Sequence, residues 1–171
     1  MRADLVPGAT FPDLELPDHA GNARRLSELA GGDPVVLNFY RGWWCPKEQA
    51  FFRLLVAFQH EVEVAYTRMV SVSVDPPEVE AAFRAGVGAR WTFLSDGDRR
   101  HQRELDLLET TDSTHDPYVP TVFTLFPDLR IHRVYNGYWF WGRPTLDELR
   151  RDLREISREI RRNWESPPPR R

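Results

Sequence analysis

Cys45 is the only cysteine of the chain, and its surroundings are those of a nucleophile. It lies in Arg41-Gly42-Trp43-Trp44-Cys45-Pro46-Lys47-Glu48, just after the apolar run Val35-Val36-Leu37-Asn38-Phe39-Tyr40 and just before a helical pattern. Proline is favoured at the first position of a helix, where its missing N–H costs nothing, so Pro46 makes Cys45 the expected N-cap. A sulfur in that place is expected to face the free amides of Lys47, Glu48 and the next residue, at the positive end of the helix dipole. Both favour thiolate over thiol. Arg41 and Lys47 add positive charge nearby, and Glu48 opposes them. The plainer alternative is a small buried hydrophobe, the usual fate of a lone cysteine. The strand-to-helix junction favours the nucleophile.

A single cysteine also excludes an intrachain disulfide and a Cys-rich metal cage. His19, His60, His101, His115 and His132 are scattered without metal-ligand spacing, and His115-Asp116 sits in a polar stretch that reads as a solvated loop. Gly86-Val87-Gly88 closes a helical pattern rather than opening one, so it is a C-terminal stop and not a phosphate cradle. Neither a metal nor a nucleotide or other cofactor is expected. With 23 basic against 26 acidic residues, the chain lacks the field that nucleic acid requires. No apolar run approaches the roughly 20 residues of a membrane span, and the start Met-Arg-Ala-Asp-Leu-Val-Pro-Gly lacks the apolar stretch of a secretory signal. A soluble cytoplasmic protein with no nucleic-acid or membrane partner is the expectation.

The elements that must position Cys45 follow from periodicity. Residues 35–40 read as a buried strand. After it, Phe51, Leu55, Phe58, Val62 and Tyr66 recur at helical spacing. Residues 69–74 alternate as a strand, and Asp75-Pro76-Pro77-Glu78 reads as a helix start with Asp75 as cap, the helix stopping near Gly86 or Gly88. Residues 91–95 form a third strand, and residues 99–107 a charged helical stretch. Residues 121–126 and 131–135 read as antiparallel strands around the turn Pro127-Asp128-Leu129-Arg130. Thr145 with Glu148 makes a capping box for a last helix striped by Leu146, Leu149, Leu153, Ile156 and Ile160. Residues 7–30 suit short strands or a loop over the core. One domain over residues 1–165 is expected, with a disordered proline-rich tail at 166–171. Alternating strands and helices imply an α/β sandwich: a mixed central sheet with helices on both faces.

The segment from Phe39 to Glu48 resembles the peroxidatic-cysteine segment of the peroxiredoxins, of the alkyl hydroperoxide reductase and thiol-specific antioxidant type. There an apolar strand runs into Cys-Pro-x-Glu. Phe93-Leu94-Ser95-Asp96 is similar to a strand of that family ending in Leu-Ser-Asp, and Val119-Pro120-Thr121-Val122-Phe123 resembles the cis-proline strand of the wider thioredoxin fold. The likeness runs from about Pro7 to the last helix. It implies a thioredoxin-like three-layer sandwich, and reduction of hydrogen peroxide or organic hydroperoxides by a cysteine that becomes a sulfenic acid. It also implies frequent homodimerisation and a cis bond before Pro120. Trp44, Pro46, Pro120, Thr121 and Arg143 are expected to line the substrate site.

Two positions depart from the family pattern. Its Thr or Ser three residues before the cysteine is Gly42 here, and its arginine ahead of the later strand is Pro120. Arg41 and Arg143 are the candidates to replace that cation, with Glu48 orienting an arginine rather than acting as base. With no second cysteine, the sulfenic acid must be resolved by an outside thiol such as thioredoxin or glutathione. The place of a second cysteine in a Cys-x-x-Cys motif is taken by Glu48, which excludes a dithiol mechanism within the chain. The aromatic run Tyr138-Trp139-Phe140-Trp141 is either core packing or a wall of the peroxide pocket or dimer surface. The rival of another class is a non-peroxidatic thioredoxin-fold interaction module with an inert Cys45; exposure of the sulfur among donors separates the two.

Overall fold

The computed structural model describes residues 1–161, so the tail expected at 166–171 lies outside the described residues. The chain order is β1 (Glu15–Pro17), β2 (Ala23–Arg25), α1 (Leu26–Ala30), β3 (Val35–Phe39), α2 (Pro46–Val64), β4 (Arg68–Ser73), α3 (Pro77–Val87), β5 (Thr92–Ser95), α4 (Arg100–Glu104), β6 (Thr121–Leu125), β7 (Ile131–Asn136) and α5 (Leu146–Ile160). β1 and β2 form a small antiparallel ribbon, and the main sheet has the order β5-β4-β3-β6-β7. β3 pairs in parallel with β4, and β4 with β5, while β6 runs antiparallel to β3 and β7 to β6. The expected mixed sheet is present.

β3 lies at the centre of this sheet and every one of its residues is buried, which is why it reads as a continuous apolar run rather than an alternating one. Val36 and Tyr40 pack with Phe51, Phe52, Leu55 and Phe58 of α2 and with Leu149, Leu153 and Ile156 of α5. On the other face, Leu37 and Phe39 meet Leu5, Phe11, Leu26, Tyr118 and Phe123. Helices therefore cover both faces, but the second face is closed by the short α1, the N-terminal segment and the turns after α4. α5 begins at the expected capping box, with Thr145 accepting from the Glu148 amide. No helix among the described residues is long and apolar enough to cross a membrane.

Four stretches depart from their local pattern. Tyr66 lies beyond α2 at φ 50° and is exposed, not part of the helix stripe. Asp75 does not cap α3, whose N-cap is Pro76; its carboxylate instead accepts the Trp43 amide at 3.1 Å. The stretch at 99–107 gives the shorter α4: Asp96 caps its start by accepting the amides of His101 and Gln102, and the helix stops where Asp106 takes φ 52° and the Leu107 amide returns to the Gln102 carbonyl. The four aromatics at 138–141 are all exposed, Phe140 and Trp141 by 83% and 77%, which removes core packing as their role.

Where β3 and β4 meet α3, the Glu80 carboxyl is sealed between the Tyr40 hydroxyl and Ser73 Oγ. Burial pushes its pKa up to about 8, against which the Ser73 and Tyr40 hydrogen bonds act, while the charge of Asp75 adds to the rise. Burial raises Asp75 and Asp96 as well. An unfolded chain loses the Glu80 proton near the ordinary 4.5, so between these two values the folded protein binds more protons and its stability falls as pH rises. Thermal melts across this window should show the midpoint declining with pH, and Glu80→Gln should flatten part of that slope. An unchanged slope in the variant contradicts the assignment.

Candidate active site

The chain leaves the sheet after Tyr40, whose amide still bonds to the Val72 carbonyl at 3.0 Å. It turns at Gly42, with φ 140°. A Cβ there would lie 2.6 Å from Trp44 Nε1 and 3.0 Å from an Asp75 carboxylate oxygen, so conformation and space both require glycine. The Asp75–Trp43 bond, the Cys45 amide on the Gly42 carbonyl at 3.3 Å and Gln49 Nε2 on the Trp43 carbonyl at 2.9 Å fix the loop. Cys45 is the N-cap of α2 and Pro46 its first residue.

The sulfur sits differently from the expectation in two respects. It accepts no hydrogen bond from the first-turn amides, and Cys45 is buried, with 2% of its surface exposed. Its polar neighbour is Arg41, with Nη1 3.9 Å from Sγ. The side chain follows that tertiary partner rather than its own helix. Lys47 lies with Nζ 3.3 Å from the centre of the Trp139 ring, a cation–π contact.

Arg41 is the junction of the site. Its Nη2 meets Glu109 Oε2 and Asp112 Oδ2, each at 2.8 Å. Its guanidinium lies 4.9 Å from the Trp44 ring centre, and Trp44 stacks on His115 at 3.8 Å and 19°. His115 Nδ1 is in turn 3.1 Å from Asp112. Burial opposes ionisation of Glu109, but hydrogen bonds from Thr111 and Tyr138 and the charge of Arg41 outweigh it and hold its carboxyl below the ordinary range. Asp112 is held low in the same way, burial being outweighed chiefly by its bonds to His115. Two carboxylates therefore offset the Arg41 charge, and what Arg41 brings to the sulfur is a directed N–H as much as a net charge. Among the described residues, two buried side-chain donors lack an acceptor, Asn38 Nδ2 and Arg41 Nε.

Glu48 is buried and paired with Arg143 through both carboxylate oxygens, and it also accepts the Arg41 amide at 3.2 Å. Arg143 donates its Nη1 to the Trp139 carbonyl at 3.1 Å, so its charge is taken up by Glu48. Pro46 is exposed at the start of α2 and Trp44 is half-buried. Thr121 is buried, its hydroxyl donating to the Val119 carbonyl and accepting from Asn136 Nδ2. The bond before Pro120 is trans, which corrects the cis bond implied by the resemblance. In this geometry the Val119 amide reaches the Leu107 carbonyl and the Pro120 carbonyl accepts from Gly137, with Gly142 packed against the same oxygen.

Glu109, Asp112, His115 and Asp75 join the site without having been singled out as parts of it. The His132, Asp152 and Glu155 group has metal-like spacing, but Asp152 already accepts from Arg133 Nε and the Tyr135 hydroxyl.

The model of the AhpC/TSA family matches residues 7–134. Two proteins of Mycobacterium tuberculosis that carry provisional peroxiredoxin names are similar to the chain, one 39% identical over 95 residues and the other 34% over 98. These alignments cover 54% and 56% of the chain, and span 60% of the length of each relative. The crystal structure of the peroxidoxin BcpB from Mycobacterium tuberculosis superposes with a TM-score of 0.79 at 26% identity, covering 88% of this chain and 97% of that one. The bacterioferritin comigratory protein of Xanthomonas campestris, 22% identical with a TM-score of 0.72 over 91% of this chain and 98% of its own, shares the fold.

Installing the hydroxyl residue of the resembled pattern as Gly42→Thr should be harmful. The positive φ costs about 1–3 kcal/mol for a residue with a Cβ, and the new side chain displaces Trp44. The thermal midpoint should drop; a variant as stable as the parent contradicts the account of Gly42.

Proposed function

The chain belongs to the AhpC/TSA family, and from that premise we propose that it is a one-cysteine, peroxiredoxin-like thiol peroxidase acting through Cys45. The observation that carries this reading is Arg41 Nη1 set 3.9 Å from a sulfur at the proline-led N-terminus of a 19-residue helix. The Cys45 thiolate attacks the terminal oxygen of the hydroperoxide. An S–O bond forms, the O–O bond breaks, and the leaving oxygen takes a proton from solvent to give an alcohol or water. Sulfur loses two electrons and the peroxide gains them. The Arg41 Nε–H is the donor left for a peroxide oxygen, where it steadies the charge that develops.

Glu48 acts by holding Arg143 and the Arg41 backbone, not as a base. Trp44, Pro46, Pro120 and Arg143 shape the pocket, and Thr121 adds a wall rather than a donor, since its hydroxyl is committed. An external thiol such as thioredoxin or glutathione attacks the sulfenic sulfur and releases water, and a second thiol returns Cys45 to its reduced state. We place the protein in the cytoplasm, as a homodimer joined through the exposed 138–141 loop, since clustered exposed aromatics are typical of interface cores.

The burial of Cys45 favours a second reading, a thioredoxin-fold interaction module with an inert cysteine. Hydrogen peroxide with a sulfenic-acid trap separates the two. Cys45 should be labelled within seconds, and Arg41→Lys should slow labelling by about 10- to 100-fold; no label on the folded wild-type protein leaves the module. In sedimentation equilibrium the double variant Phe140→Ser, Trp141→Ser should shift the protein towards monomer. A wild-type protein that is already monomeric removes the dimer.

A further inference from the structure

A sulfur with so little exposed surface reacts only if something beside it moves. The buried Glu48–Arg143 pair is held from both sides, and the Trp43 backbone is fastened by Asp75. The backbone of the 109–118 loop is also secured: the Glu109 amide bonds to the Pro117 carbonyl, and Arg99 and Gln102 hold the carbonyls of His115 and Asp116. The Glu109 and Asp112 side chains are pinned on Arg41, and the His115 side chain is less constrained. The His115 side chain is 42% exposed, and what keeps it in place is the stack on Trp44 and the Asp112 carboxylate. Trp44 has Gly42 at its Nε1 edge, and its ring faces the Arg41 guanidinium and His115; the His115 side chain is the more exposed of the two, 42% against 19%, so the ring its movement must displace is His115.

We propose that the stacked Trp44 and His115 rings are the access gate to Cys45, and that His115 is a specificity-determining residue that sets how large a hydroperoxide enters. The substrate part of this inference rests on the thiol-peroxidase reading; the gate itself does not. Trp44 adjoins Cys45 in the chain and packs with the guanidinium that touches the sulfur, so displacing the rings opens the side of the site on which Arg41 stands. A stack of this kind favours the closed arrangement by about two- to tenfold in population. That is weak enough to open often and strong enough to discriminate by size.

The test uses two alkylating reagents with the same chemistry and different bulk, iodoacetamide and 5-iodoacetamidofluorescein. In both, the thiolate displaces iodide and forms a thioether, so the ratio of the two rates cancels any change in the sulfur's own reactivity. His115→Ala should raise the bulky-to-small ratio at Cys45 by about two- to tenfold. His115→Phe, which keeps the stacking ring and loses only the Asp112 contact, should stay well below the alanine ratio. An unchanged ratio in the alanine variant overturns the gate, and so does a phenylalanine variant that opens as far as alanine; circular dichroism on each variant and a urea-unfolded control identify a ratio that rises through loss of fold. On the same variants, tert-butyl hydroperoxide should gain more than hydrogen peroxide. If the alkylation ratio moves while neither peroxide oxidises Cys45, the gate stands and the peroxidase reading falls.

Discussion

One guanidinium holds this site together. Arg41 reaches the Cys45 sulfur with one nitrogen and the Glu109 and Asp112 carboxylates with another, and its backbone amide rests on Glu48. A half-buried charge is costly unless it is paired, and the two loop carboxylates supply that pairing. They also decide what Arg41 can do. With its charge largely offset, the guanidinium aims hydrogen-bond donors, and in the chemistry we propose the dipole of α2 is the other contribution open to a sulfur anion.

The sheet explains why the groups meet. β3 is central and buried on both faces, so the direction in which it ends is fixed, and Gly42 and Pro46 turn that end into the start of α2. β4 and the turn after it bring Asp75 to the Trp43 amide, and β6 delivers Pro120, against whose carbonyl Gly137 and Gly142 seat the aromatic loop. That loop touches the site twice, through Tyr138 on Glu109 and the Trp139 carbonyl on Arg143. A partner resting on the exposed rings would therefore bear on both arginine–carboxylate pairs.

What the sequence disclosed was local. The β3–α2 junction, Cys45 as N-cap with Pro46 behind it, and the Thr145–Glu148 box depend on residues a few places apart, and each took its expected form. The direction of the sulfur did not, because it answers to Arg41 and the tertiary setting of that residue. Asp112 is 71 positions from Arg41, and nothing in Thr110-Thr111-Asp112-Ser113-Thr114-His115 distinguishes a clamp from a solvated loop. The same limit applies to Asp75, which suited a helix cap until the Trp43 amide was brought beside it. The trans bond at Pro120 belongs here too: the strand resembled the cis-proline pattern, while the hydrogen bonds of Val119 and Pro120 are completed without it.

The central claim is that the protein makes this cysteine a faster nucleophile towards peroxide than a cysteine in water. Stopped-flow tryptophan fluorescence follows it directly, because Trp43 and Trp44 precede the reacting sulfur. Mixing the reduced protein with hydrogen peroxide should give a second-order phase at least about 100-fold faster than the oxidation of free cysteine at the same pH, absent from Cys45→Ser. A rate no greater than that of free cysteine would contradict the account.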